Sequence, residues 1–170
     1  MNADRRDIGP LETGPDRSAP SAPAGPPVVP ATAADLADVQ RLVAAARLTT
    51  DGLEACVLGG TAVICREHDG RLLGVAATER YGPAAFLRSV AVRAPARGNG
   101  LGRSLVEQAL ADARAAGARE AWLLTETAEP FFAGLGWTRA ERAEAPPAVA
   151  ASVEFVSACP TTAVAMRLGL

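Results

Sequence analysis

Across residues 86–106 the period of the apolar residues changes on either side of a glycine-rich loop, and that change narrows the folds open to the chain. Residues 86–92 are mostly apolar and partly β-branched, Pro95 ends the run, and Leu101, Leu105, Val106, Ala109, Leu110 and Ala113 then recur at helical spacing. The stretch therefore reads as strand, loop, helix. A helix that starts directly after Gly98, Asn99 and Gly100 leaves its first backbone N–H groups unpaired and places the positive end of its dipole there, which suits a phosphate. Glycines at 98, 100 and 102 withhold Cβ atoms that would keep a pyrophosphate off the amides, and Arg97 adds a bidentate charge.

Two other phosphate loops are excluded by position. A Walker loop needs Gly at 97 and Lys at 103, and both positions hold Arg. A Rossmann fingerprint needs its third glycine one residue later and an acid closing the following strand, whereas Glu120 opens that strand. What remains, Arg97-Gly98-Asn99-Gly100-Leu101-Gly102 after a strand ending in Val90-Ala91-Val92, resembles the acetyl-CoA loop of the GNAT acetyltransferase superfamily. For these six residues alone, an ordinary βα turn is the alternative.

The rest of the chain tells between the two. Residues 1–27 are rich in Pro, Gly, Ser, Asp and Arg, cannot bury enough surface to offset their ordering entropy, and read as an unstructured tail without the apolar core of a signal peptide. The folded domain is expected over residues 28–170. Val28 and Val29 form a brief strand; Thr32 and Asp35 mark a helix start leading to Leu36, Val39, Leu42 and Val43; residues 50–57 read as a second short helix. Strands at 61–66 and 72–78 flank the Asp69-Gly70 hairpin signal, and a second turn at Gly82-Pro83 leads into the strand before the glycine loop. Gly117 stops the long helix, residues 121–125 form a buried strand, and short connections on both sides imply that this strand runs parallel to 86–92. Residues 130–135 read as a short helix, 149–155 as a further one, and 161–168 as a last strand.

This order is that of the GNAT fold, an α/β architecture. Its mixed central sheet has antiparallel N-terminal strands, a parallel pair splayed at the acetyl-CoA site, and flanking helices. The resemblance spans about residues 28–170 and includes Phe132-Ala133-Gly134-Leu135-Gly136-Trp137, similar to the family's Tyr-x-x-x-Gly-Phe segment. Residues 87–92, 123–132 and Glu154-Phe155 with Cys159-Pro160 look like the arsenic-resistance N-acetyltransferase subgroup; the Leu-Thr-x-Thr-Ala part also resembles the acetyltransferase domain of N-acetylglutamate synthase.

Composition limits the partners. A single 170-residue chain with net charge −2 argues against a nucleic-acid surface or a polybasic membrane contact, and the fact that all 17 basic residues are Arg reads as codon bias. Three cysteines without a Cys-x-x-Cys pair suit a reducing cytoplasm, and no apolar run is long enough to span a bilayer. A small-molecule amine is the expected partner; a homodimer stays open.

The resemblance implies acetyl-CoA as cosubstrate, with no metal, held by Val90, Ala91, Val92, Arg97, Gly98, Asn99, Gly100, Leu101, Gly102 and Arg103. It also exposes a departure. The family's frequent tyrosine acid falls on Phe132 and the glutamate base of some members falls near Phe86, neither of which moves a proton. Glu79 is the relocated catalytic candidate. If the turn pairs Tyr81 with Ala84, Glu79 faces Phe86 and lies diagonal to Arg88, so that Arg88 could hold an acceptor carboxylate while Glu79 takes the amine proton. The plainer alternative is a cross-strand ion pair. Thr125 and Glu126, at the strand end, are acceptor contacts, Thr127 is expected to cap the next helix, and His68 falls in a solvated turn. The expected activity is acetyl transfer to a small amine, plausible acceptors being an amino acid or an amino-acid-like, arsenic-related toxin. The alternatives are a biosynthetic amino-acid acetyltransferase and a CoA-binding sensor without turnover.

Overall fold

The computed structural model describes residues 25–158 and 160–170; of the expected tail, residues 1–24 lie outside it. Seven strands form one sheet in the order β1-β2-β3-β4-β5-β7-β6. They are β1 (Val28–Pro30), β2 (Ala62–Arg66), β3 (Leu72–Tyr81), β4 (Ala84–Val92), β5 (Glu120–Thr125), β6 (Thr138–Ala140) and β7 (Val164–Gly169). The helices are α1 (Leu36–Ala45), α2 (Leu53–Leu58), α3 (Leu101–Ala115), α4 (Glu129–Ala133) and α5 (Pro147–Ala150). Every neighbouring pair of strands is antiparallel except β4 and β5.

Strand alternation sends successive residues to opposite faces. Leu87 and Leu123 lie with Leu105, Val106 and Ala109 of α3 and with Phe132 and Trp137, so α3 and α4 cover one face. Their neighbours Phe86 and Trp122 lie on the other face with Val149 and Phe155. On that second face, α1 and α2 cover β2 and β3 through Val39, Val43, Leu53, Cys56 and Val57. Among the described residues the buried charged ones are Arg88 and Glu154, and Arg88 also reaches the Asp51 carbonyl just before α2.

Several boundaries depart from the sequence reading. The Thr32–Asp35 capping box is present, but it caps a 3-10 turn (Ala33–Asp35) that leads into α1. β6 is a three-residue edge strand that the sequence reading omits. The helix expected at 149–155 is instead α5 followed by a π-helical turn, Glu154–Ala158. The parallel pairing is also far shorter than both strands, a difference that opens the site.

Candidate active site

Sequence dictates the wedge at the sheet centre. β4 and β5 pair only from Ala84 to Phe86 and from Glu120 to Trp122, although the strands continue to Val92 and Thr125. Beyond that point the β4 edge facing β5 has no ladder partner, and its backbone groups are free to meet a ligand. On its other edge β4 carries a bulge. Val75 faces Ala91 and Ala77 faces Arg88, so Ser89 and Val90 together stand opposite Ala76, and Ser89 takes a left-handed φ of 54°. A cleft of about 1050 Å³ runs through this wedge.

At one end lies the glycine loop. Gly98 and Gly100 have φ of 83° and 79°, and a Cβ on either would meet nothing within 4 Å. Their requirement is therefore conformational, and the space above them is open. Gly102 differs: it sits inside α3, where a Cβ would lie 3.4 Å from the Phe131 ring, so it serves close packing. No side chain caps α3, which leaves its first amides without an internal partner. Arg97 anchors its Nε–H on the Val92 carbonyl at 2.8 Å, while Arg103 reaches Glu107 and the Gly134 carbonyl, both at 3.3 Å. Arg97, Gly98, Gly100, Gly102 and Arg103 border the cleft together with Val90, Ala91 and Val92. Asn99 and Leu101 do not, and Leu101 turns inward against the α3 cluster.

At the other end lies a cluster of buried charges. The expected register is present, with Glu79 opposite Phe86 and Tyr81 opposite Ala84. The Arg88 side chain is 3% exposed. Its Nη1 contacts both Glu79 and Glu154, its Nη2 donates to the Asp51 carbonyl just before α2, and its Nε lies 3.3 Å from Ser89 Oγ. Gly52, at φ 75°, permits this approach, because a Cβ there would stand 2.7 Å from Arg88 Nη1. Both oxygens of Glu79 are occupied, Oε1 by Arg88 and Oε2 by the Tyr81 hydroxyl at 2.5 Å, and Glu79 does not border the cleft. Burial, reinforced by the hydrogen bond to Glu79, pushes the Tyr81 hydroxyl well above its usual pKa.

Glu154 borders the cleft with a side chain 3% exposed. Neither of its oxygens has an aligned hydrogen-bond partner from another described residue: Oε1 makes only the ion-pair contact with Arg88, and the residue's own backbone amide lies close. Burial raises its pKa, Arg88 pulls it back, and Glu79 adds to the rise. The sequence reading quoted Glu154 only as part of a family segment. Thr125 borders the cleft, but its Oγ accepts the Ala128 N–H at 3.0 Å; it is thus Thr125, not Thr127, that holds the turn into α4. Glu126 and Thr127 are exposed on the cleft rim. Arg47 also borders the cleft, exposed, at a left-handed φ of 59°. It too escaped the sequence reading.

The sequence model of the Acetyltransferase (GNAT) family matches residues 37–137. The chain belongs to that family. No curated protein sequence matches the chain significantly. Among solved structures, the GNAT fold is shared with N-acetylglutamate synthase from Neisseria gonorrhoeae complexed with coenzyme A and N-acetyl-glutamate, at a TM-score of 0.76 and 20% identity. That match covers 88% of this chain but 36% of the synthase, so the chain corresponds to about a third of that protein. Rv2747 of Mycobacterium tuberculosis, solved with CoA and a second ligand, matches at 0.72 and 22% identity over 85% of this chain and 99% of that one. A GNAT acetyltransferase of Staphylococcus aureus matches at 0.68 and 12% identity, over 85% and 98%. At these identities the likeness is one of fold.

Within the family pattern, Phe132 is a buried core residue, edge-on to Phe131 and Trp137 at 5.0 and 5.9 Å between ring centres. Cys56 and Cys65 lie in clusters on opposite faces of the sheet, and among the described residues no group of His, Cys, Asp and Glu is placed to hold a metal ion. No described helix is long and apolar enough to cross a membrane.

Proposed function

We propose that the chain is an acetyl-CoA-dependent N-acetyltransferase of small amines. One observation carries the reading: a single cleft joins the uncapped start of α3 to the buried Arg88–Glu154 pair through a wedge where β4 has a free edge. The CoA phosphates meet the amides of Gly98, Gly100 and the first turn of α3, with Arg97 and Arg103 beside them. The pantetheine lies along the β4 edge at Val90, Ala91 and Val92, where a backbone N–H polarises the thioester carbonyl and stabilises the oxyanion as the amine attacks. The acceptor enters beside Arg47 and Glu126, both of which border the cleft.

An amino-acid-like acceptor fits this arrangement, and the gonococcal synthase complexes with N-acetyl-glutamate and with L-arginine supply the analogy. Arg88 spends most of its N–H groups on protein partners, so it has at most one left for an acceptor carboxylate. Arg47, whose side chain makes no ion pair or hydrogen bond among the described residues, is the freer cation for that role. Glu79 acts here by holding Arg88 and Tyr81 in place. The arsenic-related acceptor rests on the likeness of Glu154-Phe155 and Pro160 to that subgroup, and Glu154 and Pro160 both border the cleft. Two buried cysteines without a disulfide suit a reducing cytoplasm.

A CoA-binding sensor is the competing reading, favoured by the absence of a proton-carrying side chain at Phe132 and Phe86. Thiol release from acetyl-CoA across a panel of amino acids and simple amines separates the two. Amine-dependent release supports transfer, and tight binding without release supports the sensor.

A further inference from the structure

The cleft's inner end holds a feature that acetyl-CoA binding leaves unexplained. Two carboxylates, Glu79 and Glu154, share one guanidinium, so the cluster carries a net negative charge when both are ionised. Glu79 is saturated by Arg88 and Tyr81 and stands behind them. Glu154 borders the cleft with an oxygen that no other described residue pairs. A buried carboxylate oxygen without a donor costs stability, and a ligand N–H would relieve that cost. A thioester offers it no donor and a secondary amide one uncharged N–H, whereas an ammonium offers up to three donors and the missing charge.

We propose that the Glu154 carboxylate receives the ammonium of the acceptor and removes its proton, making the π-helical turn before β7 the source of the catalytic base. The assignment rests on the transferase reading above and names the acceptor as an aliphatic amine that is cationic at neutral pH. Its steps balance. On binding, R–NH3+ gives one proton to the Glu154 carboxylate and becomes R–NH2. The nitrogen lone pair forms a C–N bond to the thioester carbonyl, and the C–S bond breaks as the tetrahedral intermediate collapses. The thiolate takes the second nitrogen proton and leaves as CoA–SH, and Glu154 returns its proton to solvent through the cleft. Reactants R–NH3+ and acetyl-CoA thus give R–NH–acetyl, CoA–SH and one free proton.

The groups facing Glu154 fit this role. Burial raises the pKa of Glu154, Arg88 from β4 draws it back, and Glu79 from β3 and Asp51 before α2 add to the rise, while Tyr81 beside Glu79 stays a neutral phenol. Cys56 of α2 lies near the same cluster as a thiol whose pKa burial raises, although Arg88 draws it down. A carboxylate whose pKa is raised takes a proton more readily than a free one, which suits a base that meets an ammonium.

Glu154→Gln tests the assignment. The exchange keeps side-chain shape, and Glu79 still balances Arg88. At pH 7 the variant should lose about 10²-fold or more in kcat with an aliphatic amine such as an amino acid or a simple alkylamine. With hydroxylamine, already neutral at that pH, it should lose less than tenfold, while acetyl-CoA affinity by calorimetry stays unchanged. Equal losses for both nucleophiles, or no loss for either, would overturn the assignment. Should the variant fold poorly, the wild-type protein gives the same answer: kcat/KM for the alkylamine should fall on the acid side as Glu154 is protonated, and that for hydroxylamine, expressed per molecule of the neutral form, should not. Identical acid limbs would overturn it. A wild-type protein that binds acetyl-CoA and acetylates none of these amines would overturn the transferase reading itself, and the assignment with it.

Discussion

Replacing Arg88 by Met removes the one cation that holds two carboxylates inside the protein. The side chain is 3% exposed, as is that of Glu154, while Glu79 is 20% exposed. Breaking a buried pair by deleting one partner costs about 3–5 kcal/mol, because a charge is left uncompensated. For a domain of this size that corresponds to roughly 6–20 °C in Tm. The loss should depend on pH with a defined sign. Burial raises the folded pKa of Glu154 above its unfolded value of 4.5, Arg88 opposing the rise, and removing Arg88 raises it further. Stability that depends on its protonated form is fully present below the unfolded value and is lost as pH rises through the folded one. Arg88→Met should therefore be more damaging at pH 8 than at pH 5. Adding Glu154→Gln removes the stranded charge and should recover about 1–3 kcal/mol of the loss at pH 8. Urea unfolding of the two single variants, the double variant and the wild type at both pH values measures all of this. A loss below about 1 kcal/mol at pH 8, the size of an exposed pair, or a double variant weaker than Arg88→Met would refute the buried-cluster account.

Other changes probe other parts of the site. Gly100→Asp should lose about 1–2 kcal/mol to its left-handed φ of 79° and still fold, yet weaken acetyl-CoA binding by tenfold or more in calorimetry by placing a carboxylate where a phosphate belongs. Phe132→Leu should cost about 1–2 kcal/mol in packing and less than tenfold in kcat, whereas a residue that donates the leaving-group proton would cost about 10²-fold or more. Gly52→Ala meets both a left-handed φ of 75° and a 2.7 Å approach to Arg88 Nη1. It should lose about 1–2 kcal/mol and raise the apparent KM for the amine without changing that for acetyl-CoA.

The parts of this site that the sequence discloses are those fixed by local geometry. The glycine loop is legible because backbone amides and positive φ values serve it, and both leave a mark in residue type at Gly98 and Gly100. The Glu79–Phe86 register is legible because Gly82-Pro83 sets a tight turn, which fixes the pairs that follow it as far as the bulge. The bulge at Ser89 left no such mark, since its left-handed residue is not glycine. Glu154 was hidden for a different reason. It reaches Arg88 from a π-helical turn 66 residues further along the chain, and no period or spacing encodes a contact of that kind. The sequence accordingly places Arg88 beside Glu79 alone, as an acceptor contact or a cross-strand ion pair, whereas three protein groups besides Ser89 hold it. β6 escaped because three residues at a sheet edge carry too little alternation to be seen.

The central claim, transfer of an acetyl group from acetyl-CoA to an amine in this cleft, is tested most directly by mass spectrometry of the products alongside thiol release. With an amino acid or a simple alkylamine and acetyl-CoA, one CoA–SH should appear for each molecule of N-acetylated amine, and neither should form when Gly100 is Asp. Saturable acetyl-CoA binding with no acetylated product from any amine in the panel would contradict the account.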